Sequence, residues 1–294
     1  MVIDKGNYKL YKGDCLEVMK DIPDKSIDMI LCDLPYSTTR NHWDCAIPLN
    51  DYVLLNNKAV EKQEFYLTQA LNGLNKKEID LLWKSNKKEG LWTHYNRIIK
   101  DNGAIVLFAQ TPFDKILGNS NLKMLRYEWI WEKTTATGYL NAKKMPMKAH
   151  ENILVFYKKL PVYNPQKTTG HKPTNYFEHK TSNISTNYGT TNKGFKNGGS
   201  TERYPRSVQV FKTDKQKCAL HPTQKPVALC EFLIRTYTNP GATILDNTMG
   251  SGTVGVATLN VGEERKFIGI ELDENYFNIA KKRIEDVEKE LKNK

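Results

Sequence analysis

Ile244-Leu245-Asp246-Asn247-Thr248-Met249-Gly250-Ser251-Gly252-Thr253 runs from an apolar stretch through small residues into a helical one. The order strand, glycine loop, helix presents backbone amides to a ligand, because glycine tolerates both the turn and the close approach. Alone, the stretch reads equally as a tight strand-to-helix turn. Glu271 narrows the choice. It closes the next apolar run, 266–270, and stands 21 residues after Gly250, where an acidic side chain accepts from ribose hydroxyls. Together they imply a nucleoside-containing cofactor, and Thr248-Met249 in the loop disfavours a dinucleotide.

Outward from this loop, strand and helix patterns alternate. Residues 8–13 and 26–32 read as strands around a short helix at 16–21; 91–99 reads as a helix and 104–109 as a buried strand; 126–131 and 152–157 are further strands. Beyond them come a proline-opened helix at 226–237, strands at 243–246 and 266–270, a helix at 253–261 and a closing helix from Asp273. In that last helix Phe277, Ala280, Ile284, Val287 and Leu291 step by three and four, as a core-facing stripe does. The expected fold is α/β: a Rossmann-like, mostly parallel sheet with helices on both faces. Residues 50–90, with Leu67, Ala70, Leu71 and Leu74 and then Ile79, Leu82 and Trp83, read as a helical insertion, either a surface hairpin or a lid or dimer contact.

The 294 residues suffice for a full core. The longest apolar run, 104–109, is far too short to span a bilayer, and the start Met-Val-Ile-Asp-Lys-Gly has no signal-peptide pattern, so a cytoplasmic protein with no membrane partner is expected. Five cysteines without a Cys-x-x-Cys pair support neither a disulfide framework nor a zinc site, and no metal is expected. The net charge of +11 is concentrated: residues 158–217 hold 12 basic side chains against 3 acidic ones, with seven aromatics interleaved among Asn, Thr, Gly and Ser. Such a segment neutralises phosphates and stacks on bases, although charge and Gly/Asn bias alone also describe a solvated linker.

A second corner carries chemistry. The apolar run from Ile27 ends in Asp33-Leu34-Pro35-Tyr36. Proline holds Leu34 extended, which aims its carbonyl away from the ladder. The Asp33 carboxylate and the Leu34 carbonyl then form two acceptors for an exocyclic amine, with Tyr36 to stack on the ring that bears it. In isolation four residues are an ordinary strand-ending turn.

With the loop 246–253, Glu271 and His221-Pro222-Thr223-Gln224-Lys225-Pro226, this corner resembles the amino-group DNA methyltransferases that use S-adenosylmethionine, in their circularly permuted β class. The order agrees: catalytic motif first, variable target-recognition segment next, cofactor loop near the end. Leu34 stands where proline is commoner, and Thr248 where phenylalanine is usual. The resemblance implies three divisions: 1–157 as the catalytic half with the insertion 50–90, 158–217 for target recognition, and 218–294 as the cofactor half. It implies that Asp33, Leu34, Pro35 and Tyr36 bind a flipped-out base. Asp14, Cys15, His221, Thr223, Lys225, Asp246, Gly250, Ser251, Gly252, Thr253 and Glu271 would serve the cofactor. Arg40, Lys167, Lys172, Lys193, Lys196, Arg203 and Arg206 are the candidate contacts to double-stranded DNA. His42 and Trp43 would also contact DNA or fill the vacated gap, and Trp43 reads equally as a core anchor. Aspartate at the first motif position implies adenine N6 as the target. Cytosine N4, an RNA substrate and a noncatalytic DNA-binding protein on the same fold are the alternatives. A homodimer and a separate restriction endonuclease are left open as partners.

Overall fold

The structure is a computed structural model that describes residues 1–36, 46–179, 195–214 and 224–293. Its elements run β1 (Val2–Asp4), β2 (Tyr8–Lys12), α1 (Cys15–Val18), β3 (Ile27–Asp33), β4 (Tyr52–Leu55), β5 (Lys58–Glu61), α2 (Lys62–Leu71), α3 (Lys76–Asn86), α4 (Leu91–Ile98), β6 (Ile99–Ala109), α5 (Phe113–Ser120), β7 (Leu125–Thr137), β8 (Lys148–Phe156), β9 (Phe177–His179), β10 (Phe195–Asn197), β11 (Val208–Phe211), α6 (Val227–Tyr237), β12 (Thr243–Asp246), α7 (Thr253–Val261), β13 (Lys266–Glu271) and α8 (Glu274–Lys292). Two compact units result, one of residues 1–164 and 207–294, the other of 165–206. No helix among the described residues is long and apolar enough to cross a membrane.

The larger unit is built on a nine-stranded sheet in the order β1-β2-β13-β12-β3-β6-β8-β7-β11. The five strands from β2 to β6 are mutually parallel, and β8 runs against its neighbours on either side. Side chains alternate between faces along each strand. On β3, Met29 and Leu31 join the core beneath α6, α7 and α8, while Ile30 and Cys32 join the core beneath α1, α4 and α5. Cover on both faces is why β3 reads as a continuous apolar run. The expected α/β sheet with helices on both faces is thus observed.

Three expectations are corrected. The insertion is not purely helical: β4 and β5 form an antiparallel hairpin whose Val53 and Val60 pack with Phe65, Ile79 and Trp83 in a separate small core. Leu67, Leu71 and Leu82 are exposed; the helical step was real but the buried face was the aromatic one. Strand β7 runs six residues past Trp131, where β11 pairs with Glu132 and Lys133 and β8 pairs with Glu132 and, after a register shift, with Thr137. Val208–Phe211, placed within an aperiodic basic window, instead pairs in parallel with β7, and the Trp131 indole donates to the Phe211 carbonyl at 2.9 Å. Within the 165–206 unit, β9 and β10 pair antiparallel and Thr168 bridges to Arg203.

Candidate active site

Strands β3, β12 and β13 end side by side, so Asp33, Asp246 and Glu271 emerge at one rim, the carboxyl edge where open parallel sheets bind ligands. They line one cavity of about 650 Å³ together with Asp14, Cys15, Leu34, Pro35, Tyr36, Lys225, Gly250, Ser251 and Thr253. The two corners singled out in the sequence, more than two hundred residues apart, therefore share walls.

The loop after β12 is held from several directions. The Glu271 carboxylate accepts from the Gly250 and Asp273 amides, each at 2.8 Å. Arg283 of α8 donates to the Ser251 carbonyl at 2.6 Å and to its hydroxyl at 3.0 Å. Gly252 sits at φ +78, and a Cβ there would lie 2.9 Å from the Ala280 side chain, so glycine serves both the turn and the approach of α8. Asp14 caps α1 by accepting from the Leu16 amide at 2.7 Å. Burial pushes the Cys15 thiol up to about 12, which leaves it a neutral wall of the cavity.

Thr248 departs most informatively from the family pattern. Its hydroxyl donates to the Asp33 carbonyl at 3.0 Å and lies 3.0 Å from the Cys32 sulfur, so it stitches the glycine loop to the Asp33 corner directly. At that corner the Tyr36 hydroxyl donates to Asp33 Oδ1 at 2.5 Å, and its ring stacks on Phe113 at 5.0 Å. Lys225 Nζ donates to Asp33 Oδ2 at 2.5 Å and lies 3.4 Å from Glu151 Oε2. Glu151 in turn accepts from Lys133 at 2.6 Å. Burial pushes the Asp33 carboxyl up from the usual range, and the Lys225 ammonium opposes it. Asp246, 3% exposed, is pushed up to about 8, chiefly by burial.

These placements meet the family model for DNA methylases acting at amino N6 and N4, which matches residues 27–282. The chain belongs to the N6/N4 DNA methylase family. Among curated relatives, the type II methyltransferase M2.MboI of Moraxella bovis is 26% identical over 99% of this chain and 92% of its own. M.BglII of Bacillus subtilis is also 26% identical, over 92% of this chain and 67% of its own. Among solved structures, the M1.HpyAVI–SAM complex shares the fold at TM-score 0.55 and 24% identity, covering 94% of this chain and 98% of the other. As a member of this family the chain takes its methyl group from S-adenosylmethionine.

The residues present fit that cofactor. Among the described residues the buried Asn247 Nδ2 in the cavity wall has no hydrogen-bond partner, although its Oδ1 accepts from Tyr95 at 2.5 Å. Asp246 is a buried acid suited to a cationic ligand.

Not every candidate is brought to the cavity. Gly252 shapes the loop but lies behind its lining. His221, Thr223, Arg40 and Lys193 lie outside the described residues, as do His42 and Trp43. Lys167, Lys172, Lys196, Arg203 and Arg206 belong to the 165–206 unit. There Lys167 pairs with Glu202 at 2.8 Å and lies 4.8 Å over the Tyr204 ring. Arg203 donates to the carbonyls of Ser200, Glu202 and Lys172, so its guanidinium braces its own loop. Sequence reasoning missed Thr248, Glu151 and Arg283 as site residues. Thr248 could have been found as the one polar substitution in the loop. Glu151 and Arg283 carry no local signal, because their roles depend on strand and helix register.

Proposed function

We propose that this DNA methylase transfers a methyl group to the exocyclic N6 of adenine, extruded from duplex DNA, at a specific sequence. One observation carries the reading: the acidic Asp33 corner and the Asp246–Glu271 loop line a single cavity, joined by the Thr248 hydroxyl. The residues that would hold the cofactor are Asp14, Asn247, Asp246, Gly250, Ser251, Thr253 and Glu271. When bound it supplies an already activated methyl, so the chain needs no covalent nucleophile and must position a poor one. Asp33 and the Leu34 carbonyl accept the two amine protons, which keeps electron density on nitrogen and favours in-line attack. As the nitrogen becomes cationic its protons acidify, and Asp33 is placed to stabilise that charge until a proton leaves. Rotating the base out costs a few kcal/mol, which the cavity and the basic 158–217 segment offset.

The same reading takes residues 1–157 and 218–294 as the two halves of the methylase, and takes the chain as the cytoplasmic modification partner of a separate endonuclease, in keeping with the type II relatives. Mass measurement in solution decides between monomer and homodimer. The test is methylation of DNA in cells expressing the protein, read at single-base resolution. N6-methyladenine at one sequence word is expected; N4-methylcytosine, or no modified base, refutes it. Asp33→Ala is expected to abolish transfer while cofactor affinity stays within roughly tenfold, and a much larger loss of cofactor affinity would place Asp33 elsewhere.

A further inference from the structure

Glu151 is a buried carboxylate that the amine clamp does not itself require. It projects from β8 into a cluster of alternating charge, Asp33, Lys225, Glu151 and Lys133, whose side chains are 7% to 23% exposed. Lys225 lies between two acids. Its ammonium rests on Asp33 Oδ2 at 2.5 Å, while Glu151 Oε2 stands 3.4 Å away, just beyond a good hydrogen bond. A displacement of under about 1 Å would exchange one carboxylate for the other.

That arrangement matters for the charge that builds during transfer. The target nitrogen turns cationic as the methyl arrives, and an ammonium seated on the same carboxylate opposes it in a site of low dielectric. Resting on the clamp reading above, we propose that Glu151 is a positioning residue that receives the Lys225 ammonium as the amine docks, releasing Asp33 Oδ2 to face the developing positive charge. No covalent bond changes and no proton moves, since the ammonium keeps its three protons and only exchanges acceptors. Lys225 and Lys133 together keep Glu151 ionised, and Lys133 orients it by donating to the other oxygen at 2.6 Å. Phe108 and Tyr36, whose ring centroids lie 5.3 and 5.8 Å from the ammonium, wall its path with aromatic faces that tolerate a cation.

The experiment is single-turnover transfer of labelled methyl from saturating cofactor to unmodified genomic DNA, using the full chain. Glu151→Gln leaves Asp33 as the one anion for Lys225 in this cluster and should slow transfer roughly tenfold, with cofactor affinity little changed. Removing the ammonium as well, in Glu151→Gln/Lys225→Met, should recover roughly fivefold of that loss, whereas a merely structural role makes the double variant as slow or slower. Lys225→Arg keeps the charge but spans both carboxylates with a rigid fork, and should also slow transfer roughly tenfold. It decides the matter if Glu151→Gln fails to fold. A rate within about twofold of the parent for either single variant, or a double variant no faster than Glu151→Gln, overturns the proposal. Asp33→Ala run alongside separates the two readings: full activity there would remove the clamp itself.

Discussion

Asp246 makes cofactor binding depend on pH in a direction that can be worked out. Its carboxyl is 3% exposed, accepts from the Thr248 amide at 3.1 Å, and is pushed up to about 8, chiefly by burial, with Asp33 and Glu271 adding to the shift. At pH 6.5 the cofactor-free protein therefore holds this group about 97% protonated. S-adenosylmethionine is a cation, which favours the ionised form, so binding expels the proton. Affinity should rise by up to about tenfold per pH unit well below 8 and less steeply near it, or roughly 25-fold from pH 6.0 to 7.5. Calorimetry in two buffers of different ionisation enthalpy reads both the affinity and the proton count. About one proton should be released per cofactor at pH 6.5, and Asp246→Asn should flatten the slope. An affinity constant within about twofold across that range, or an unchanged slope in Asp246→Asn, would refute the electrostatic argument. The stability of the free protein follows the same group with opposite sign. Between about pH 4 and 8 the folded state binds the proton that the unfolded chain has lost, so this group's contribution falls as pH rises, by at most about 1.4 kcal/mol per unit.

Gly252→Ala should lower stability by about 2–4 kcal/mol, since the new Cβ combines a left-handed backbone with a 2.9 Å approach to Ala280; a melting temperature equal to the parent's would contradict this. Thr248→Val removes the donor to the Asp33 carbonyl at nearly constant volume. Transfer should slow roughly tenfold, and an unchanged single-turnover rate would mean that the stitch has no catalytic consequence. Lys172→Ala should reduce the slope of log affinity for DNA against log salt by about 1. Arg203→Ala, which unbraces three carbonyls, should instead expose the 165–206 unit to protease; intact protection would show that the bracing is dispensable.

The parts of this molecule that could be read in the sequence are those in which local pattern and tertiary environment agree. A strand buried on both faces must be apolar throughout, and β3 and β12 were recognisable for that reason. The glycine loop was recognisable because Gly252 answers to a backbone angle and a close approach, both of which only glycine meets. The hairpin of β4 and β5 was hidden because its short strands close a small core with a few aromatic and branched residues, and a window of leucines at helical spacing outweighs these. The polar end of β7 was hidden because its pairing partners, β8 and β11, are remote in sequence.

The charge cluster shows the same limit in chemical form. Asp33 and Lys225 each sit in a motif with its own order of residues, so each could be nominated separately, the lysine as a cofactor contact. Their partnership could not, because a 2.5 Å ion pair across 192 residues depends on β3 ending beside the entry to α6. Glu151 lies further still from any pattern: its one local feature is a place on an antiparallel strand, opposite Trp131, which is itself two positions from Lys133. Burying two acids and two bases together is costly unless their pairing is nearly complete, and replacing such sets with apolar residues is often neutral or stabilising. A methylase that needed only a fixed aspartate could hold it with Tyr36 and one lysine. Keeping a second acid within about 1 Å of the lysine's reach makes sense where the lysine must leave the first.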